Sequence, residues 1–154
     1  MPTPIRPRRR RGTRALRSAA GDLNYEWKMA KATATTLAQA QHLGNQWIQN
    51  MALESFLVHA RNVRDFFATA GSNDDVLATD FLSAPPTVRM PLLRSAAIRR
   101  RLNRRIAHLS FSRSRLKREW NVRRLLNEID SAMSTFVARL RKASPKLASI
   151  VDAA

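Results

Sequence analysis

Between Arg99 and Arg113 the chain reads Arg-Arg-Arg-Leu-Asn-Arg-Arg-Ile-Ala-His-Leu-Ser-Phe-Ser-Arg. Spacings of three, four and seven residues return to one side of a helix, so Arg101, Arg104, Arg105 and His108 share a face. Ile98, Leu102, Ile106 and Leu109 follow the same rule on another side and supply an apolar stripe for a core. The chemistry open to such a face is metal-free. A neutral imidazole can take the proton of a ribose 2′-hydroxyl, while a guanidinium stabilises charge that builds on phosphorus oxygens. The competing reading is a solvated cationic face whose histidine bonds a neighbour.

No other constellation offers a reaction. His42, His59 and His108 form neither an HExxH nor a paired i, i+4 arrangement, so no metal site is expected. Asp74, Asp75 and Asp80 lack the glycine and glutamate of a calcium loop and read as turn and capping acids. Without a glycine-rich phosphate loop, a nucleotide cofactor is not expected either. The absence of cysteine excludes disulfides, thiolate-bound zinc and a cysteine nucleophile, and fits a reducing cytoplasmic setting.

Charge points to the partner. The formal net charge is +17, and its distribution is uneven. Residues 1–21 contain seven arginines and no acid, and residues 87–124 contain thirteen basic residues against Glu119 alone. The stretch between them is slightly acidic. Clustered positive charge repels itself and is usually neutralised by phosphate, which makes nucleic acid the expected ligand and RNA the favoured one. Arg8, Arg9, Arg10 and Arg11 in the leader, with Arg99, Arg100, Arg105 and Arg113, are the candidate phosphate contacts. An acidic protein partner is the other way to neutralise residues 87–124. A membrane is not expected, since no apolar run nears the roughly 18 residues a crossing needs.

The elements that position these residues are helical throughout. Residues 1–21, with three early prolines and a self-repelling arginine block, predict a disordered basic arm. A solubilising tail, a mis-called start or an organelle presequence is its alternative, and the prolines spoil the last of these. A helix is expected from Asp22 to about His42, broken at Gly44-Asn45, and a second from Trp47 to about Thr69. Leu53, Phe56, Leu57, Ala60, Val63 and Phe67 make the second the core helix. Its His59 and Arg61 form either a polar network with Glu54 and Asp65 or a wall of the His108 groove, and the apolar surroundings favour the network. A short segment at Val76–Leu82 precedes Pro85-Pro86. A third long helix, from Thr87–Pro91 to Leu109, carries the basic face, and a fourth runs from Ser114 to Lys142. Trp47, Trp120 and Tyr25 are assigned to the core. The expected fold is all-α: an antiparallel four-helix bundle over 22–143, with a tail at 144–154 adding at most one weak turn.

Two stretches carry a resemblance. Asn50 to Phe67, with its Glu-Ser-Phe-Leu-Val-His-Ala-Arg core, and Asn103 to Arg113, with Asn-Arg-Arg-Ile-Ala-His-Leu, resemble a group of bacterial helical proteins related to the HEPN superfamily. The similarity spans roughly residues 22–142. It implies a helical bundle, often a homodimer, and in many members a metal-independent ribonuclease of defence or toxin systems using an Arg–x(4–6)–His motif. Carried onto this chain, His108 takes the histidine position and Arg101 stands at the six-residue spacing. The four-residue spacing meets Asn103 instead, and Arg104 has only three intervening residues. Noncatalytic relatives leave a second reading open: a basic nucleic-acid-binding or ribonucleoprotein component without a reaction.

Overall fold

The computed structural model describes residues 11–107 and 120–153, the side chains of 103–107 excepted. Among the described residues the protein is all-α. Its helices are α1 (Thr13–His42), α2 (Gln46–Phe66), α3 (Ala78–Phe81), α4 (Ala96–Ala107), α5 (Val122–Ala143) and α6 (Pro145–Val151).

α1 is the longest helix and packs on α2, α5 and α6. It begins at Thr13, not at Asp22, so Arg14 and Arg17 belong to the fold rather than to an arm ending at residue 21. The physical reason lies in Ala15, Leu16, Ala19 and Ala20. These are good helix formers, and Ala19 and Ala20 are buried while both arginines stay in water. The predicted break between the first two helices is present. Gly44 adopts φ +67, a left-handed conformation glycine takes without penalty, and Asn45 caps α2 by accepting from the Ile48 amide at 3.1 Å.

α2 buries Phe56, Leu57, Ala60 and Val63 completely, as the helical spacing requires. Phe66, Phe67, Phe81 and Phe136 then interlock edge-to-face, with centroids 4.9–5.9 Å apart. Trp47 departs from its core assignment. It is 81% exposed, because it lies on the side of α2 opposite Phe56. Tyr25, also assigned to the core, is exposed, whereas Trp120 is half-buried and packed against the core.

The third long helix starts later than expected. Pro85, Pro86 and Pro91 hold residues 83–95 out of regular helix, and this strap is pinned by buried Val88, Met90 and Leu93. Ser95 then caps α4, its hydroxyl accepting from the Ile98 amide at 3.2 Å. The fourth long helix likewise begins at Val122, where Asn121 accepts from the Arg124 amide at 3.0 Å; the expected start at Ser114 lies outside the described residues. The tail is more than one weak turn. Pro145 opens α6, and Leu147, Ala148 and Val151 are buried. The Asn24 amide donates to the carbonyls of Val151 at 2.7 Å and Ala153 at 3.0 Å, tying the C-terminus onto α1.

Candidate nucleic-acid interface

α4 carries the first part of the cationic run. Leu102 is completely buried and Ile98 packs against the core, so the helix is held by one side. Arg99 and Arg100 extend into solvent. Arg101 does not join them. Its guanidinium lies 4.0 Å from the centroid of the Trp120 ring, a cation–π stack that sits at the start of α5.

Two contacts set where α4 begins. The Glu128 carboxylate on α5 accepts from the Leu92 amide at 3.0 and 3.2 Å and from the Leu93 amide at 3.1 Å. Arg94 donates through Nη2 to the Phe67 carbonyl at 2.9 Å. Together they fix both ends of the turn that feeds α4 to α5 and to the end of α2. Neither residue stands out in the sequence: Glu128 is one of two acids on α5, and Arg94 is one arginine in a run of them.

At the other edge of the run, Arg123 and Arg124 are exposed in the first turn of α5. Arg123 and Trp120 line a cleft of about 760 Å³ with Ala34, Leu37 and Gln41 of α1. The Trp120 indole N–H is buried there without an acceptor among the described residues. Arg89, Arg99, Arg100, Arg123 and Arg124 have no ion-pair partner among the described residues; the ion pairs of arginine there involve Arg61, Arg64 and Arg141. An exposed guanidinium with no carboxylate beside it keeps its donors available to phosphate.

The remaining candidates divide sharply. His108, Arg113, Arg8, Arg9 and Arg10 lie outside the described residues, as do the side chains of Arg104 and Arg105, although both arginines fall on α4. Arg11 is half-exposed and borders a recess with Asp22, Asp74, Asp75 and Asp80, on an acidic part of the molecule. His59 and Arg61 have their described partners on α1 and α2. His59 is buried on α2, with Nδ1 2.6 Å from a Glu26 carboxylate oxygen on α1 and the Tyr25 ring edge-on at 5.7 Å. Arg61 pairs with Asp65 across one helical turn at 3.5 Å. A polar network is therefore present, but its histidine is served by Glu26, which lies 33 residues earlier and carries no local spacing signal. Among the described residues no cluster of three histidines or carboxylates is placed to hold a metal ion.

No protein-family model matches the chain, and neither the curated proteins nor the solved structures include a significant match.

Proposed function

We propose that this protein binds RNA through the cationic surface of residues 87–124, displayed on an HEPN-like antiparallel bundle of α1, α2, α4 and α5. The observation that carries this reading is the set of five exposed arginines without a described ion-pair partner: Arg89 on the strap, Arg99 and Arg100 early in α4, and Arg123 and Arg124 in the first turn of α5. Arg99, Arg123 and Arg124 lie in first turns that contain no acid, where the helix dipole disfavours a cation, at roughly 0.3–1 kcal/mol each. A phosphate backbone crossing both turns removes that penalty. Residues 1–10 contribute Arg6, Arg8, Arg9 and Arg10 as a basic arm that follows the backbone without reading bases.

Cleavage is the second reading, favoured by the spacing of residues in the sequence. Arg101 and Arg104 precede His108 by seven and four residues, which are both returns to one helical face. The His108 imidazole would take the 2′-hydroxyl proton as that oxygen attacks phosphorus. The P–O5′ bond breaks, the 5′-oxygen leaves with a proton, and a 2′,3′-cyclic phosphate remains. Because Arg101 is stacked on Trp120, Arg104 is the better candidate for the charge-stabilising role. Such a metal-independent endoribonuclease would act in the cytoplasm as a defence or toxin protein. Without the reaction, the same surface serves a noncatalytic ribonucleoprotein component or an acidic antitoxin-like partner.

Incubation with total RNA in EDTA, comparing the native chain with His108→Ala, tests both readings. Binding with a steep salt dependence, and cyclic-phosphate products lost in the variant, are the expected results. Binding without products leaves the noncatalytic form. Salt-insensitive binding, or none, refutes the proposal, because several phosphate contacts must release counterions.

A further inference from the structure

The cationic surface leaves unexplained an apolar one. Leu43 is 77% exposed, Trp47 81% and Met51 68%, with Ile48 and Val58 less so. All five lie on the α1–α2 hairpin. Every residue from Gln41 to Ile48 is exposed, so among the described residues nothing packs over the hairpin tip. Trp47, Met51 and Val58 recur at spacings of four and seven along α2, on the side opposite buried Phe56, Ala60 and Val63. They form one stripe running from the tip towards the middle of the helix, and Leu43 extends it across the turn.

Charge identifies the occupant. From Ala32 to Leu53, twenty-two consecutive residues, the chain contains no Lys, Arg, Asp or Glu. In a protein of net charge +17, this hairpin end is where a second copy meets the least repulsion. An anionic bilayer would instead be gripped by basic residues beside the apolar anchor, and the hairpin end from Ala32 to Leu53 has none. We infer that the outer face of the α1–α2 hairpin, centred on Trp47 and Met51, is a self-association surface that joins two copies of this chain. Its exposed side chains present on the order of 600 Å², so two copies bury about 1,200 Å², at the lower end of specific interfaces. Glu54 interrupts the stripe between Met51 and Val58, so the tightest contact falls at the tip. This inference does not depend on RNA binding.

The test uses the full chain freed of nucleic acid, followed by sedimentation across a hundredfold concentration range at 0.1 and 0.5 M NaCl. A dimer is expected, tighter at the higher salt, because salt screens the repulsion between copies and leaves apolar burial intact. Trp47→Glu should weaken it at least tenfold, with the circular dichroism spectrum and melting temperature retained, since the residue touches little of its own fold. Because the chain is cysteine-free, Met51→Cys provides an independent measurement. A short bis-maleimide should link it into a covalent dimer, while Ser149→Cys, at an exposed position of α6, stays monomeric. A monomer at every concentration, or a dimer indifferent to Trp47→Glu, overturns the inference. So does a dimer that dissolves at 0.5 M NaCl, the behaviour of copies bridged by residual nucleic acid. Trp47-dependent binding to neutral phosphatidylcholine vesicles by a chain that stays monomeric would assign the surface to lipid and overturn it equally.

Discussion

Removing the Glu128 carboxylate should both destabilise the protein and loosen its basic helix. Glu128 is the acceptor for two consecutive backbone amides, Leu92 and Leu93, at 3.0–3.2 Å, in a strap that has no regular secondary structure of its own. A hydrogen bond to a charged group contributes about 1.5–3 kcal/mol, and a donor left buried and unpaired costs a similar amount. The site is half-buried, so water can partly replace the carboxylate, and the two bonds share one acceptor group. Glu128→Ala should therefore cost about 2–4 kcal/mol, a large share of the roughly 5–15 kcal/mol available to a domain. Glu128→Gln keeps one acceptor oxygen and should lose only about 1 kcal/mol. Urea unfolding followed by far-ultraviolet circular dichroism gives both values, and an unchanged slope would confirm that the folded states are comparable. RNA affinity measured well below the transition should fall for the alanine variant, because α4 loses its fixed starting point. A destabilisation under about 0.5 kcal/mol would mean that solvent serves these amides as well as the carboxylate does, and would refute Glu128 as the positioning group.

Phe136→Ala should cost about 3–5 kcal/mol, since the ring is fully buried among Phe66, Phe67 and Phe81; calorimetry should find the variant unfolded near 37 °C or close to it. Arg99→Glu with Arg100→Glu should weaken RNA binding while leaving the melting temperature within a few degrees, because both side chains are exposed. Anisotropy titrations against salt should show the slope reduced by about 0.7 for each phosphate that the variant no longer neutralises on single-stranded RNA. Deleting residues 1–10, which stops short of α1, should lower affinity equally for unrelated RNA sequences, and the slope should drop by up to about 3 for four arginines.

The parts of this fold that repeat at 3.6 residues are legible in the sequence. Phe56, Leu57, Ala60 and Val63 on α2, and Ile129, Met133, Phe136 and Leu140 on α5, need no more than their spacing. Gly44-Asn45 is equally plain, since a left-handed glycine followed by a capping asparagine is a local device. Features resting on contacts distant in sequence are hidden. His59 looks like a partner for Glu54 or Asp65 until the hairpin brings Glu26 alongside. The strap at residues 83–95 resembles a helix start until its apolar anchors and the Glu128 bonds are considered. Trp47 misleads for another reason. A large aromatic is usually buried, yet its spacing from Phe56 already places it on the opposite side of α2, and spacing is the better guide. The start of α1 is obscured by charge: Arg14 and Arg17 resemble the leader in composition, while Ala19 and Ala20 between α1 and the core decide the matter.

Three adjacent arginines on α4 show why a charge run and a charged surface are different things. Arg99 and Arg100 reach solvent, whereas Arg101 is laid over Trp120, and upstream Arg94 is bonded to the Phe67 carbonyl. Arg101 and Arg94 serve the fold, and a lysine would serve it less well at either place, since a planar guanidinium both stacks and directs its donors. The exposed arginines serve nothing within the described chain. Arg99, Arg123 and Arg124 sit in first turns where the dipole opposes them, the exposed set repels itself, and no described carboxylate relieves it. Stability alone favours acids at those positions. A cationic surface kept at a cost to its own fold is best accounted for by a ligand whose charge offsets that cost, and a phosphate backbone has the sign, the density and the length to span both helix starts.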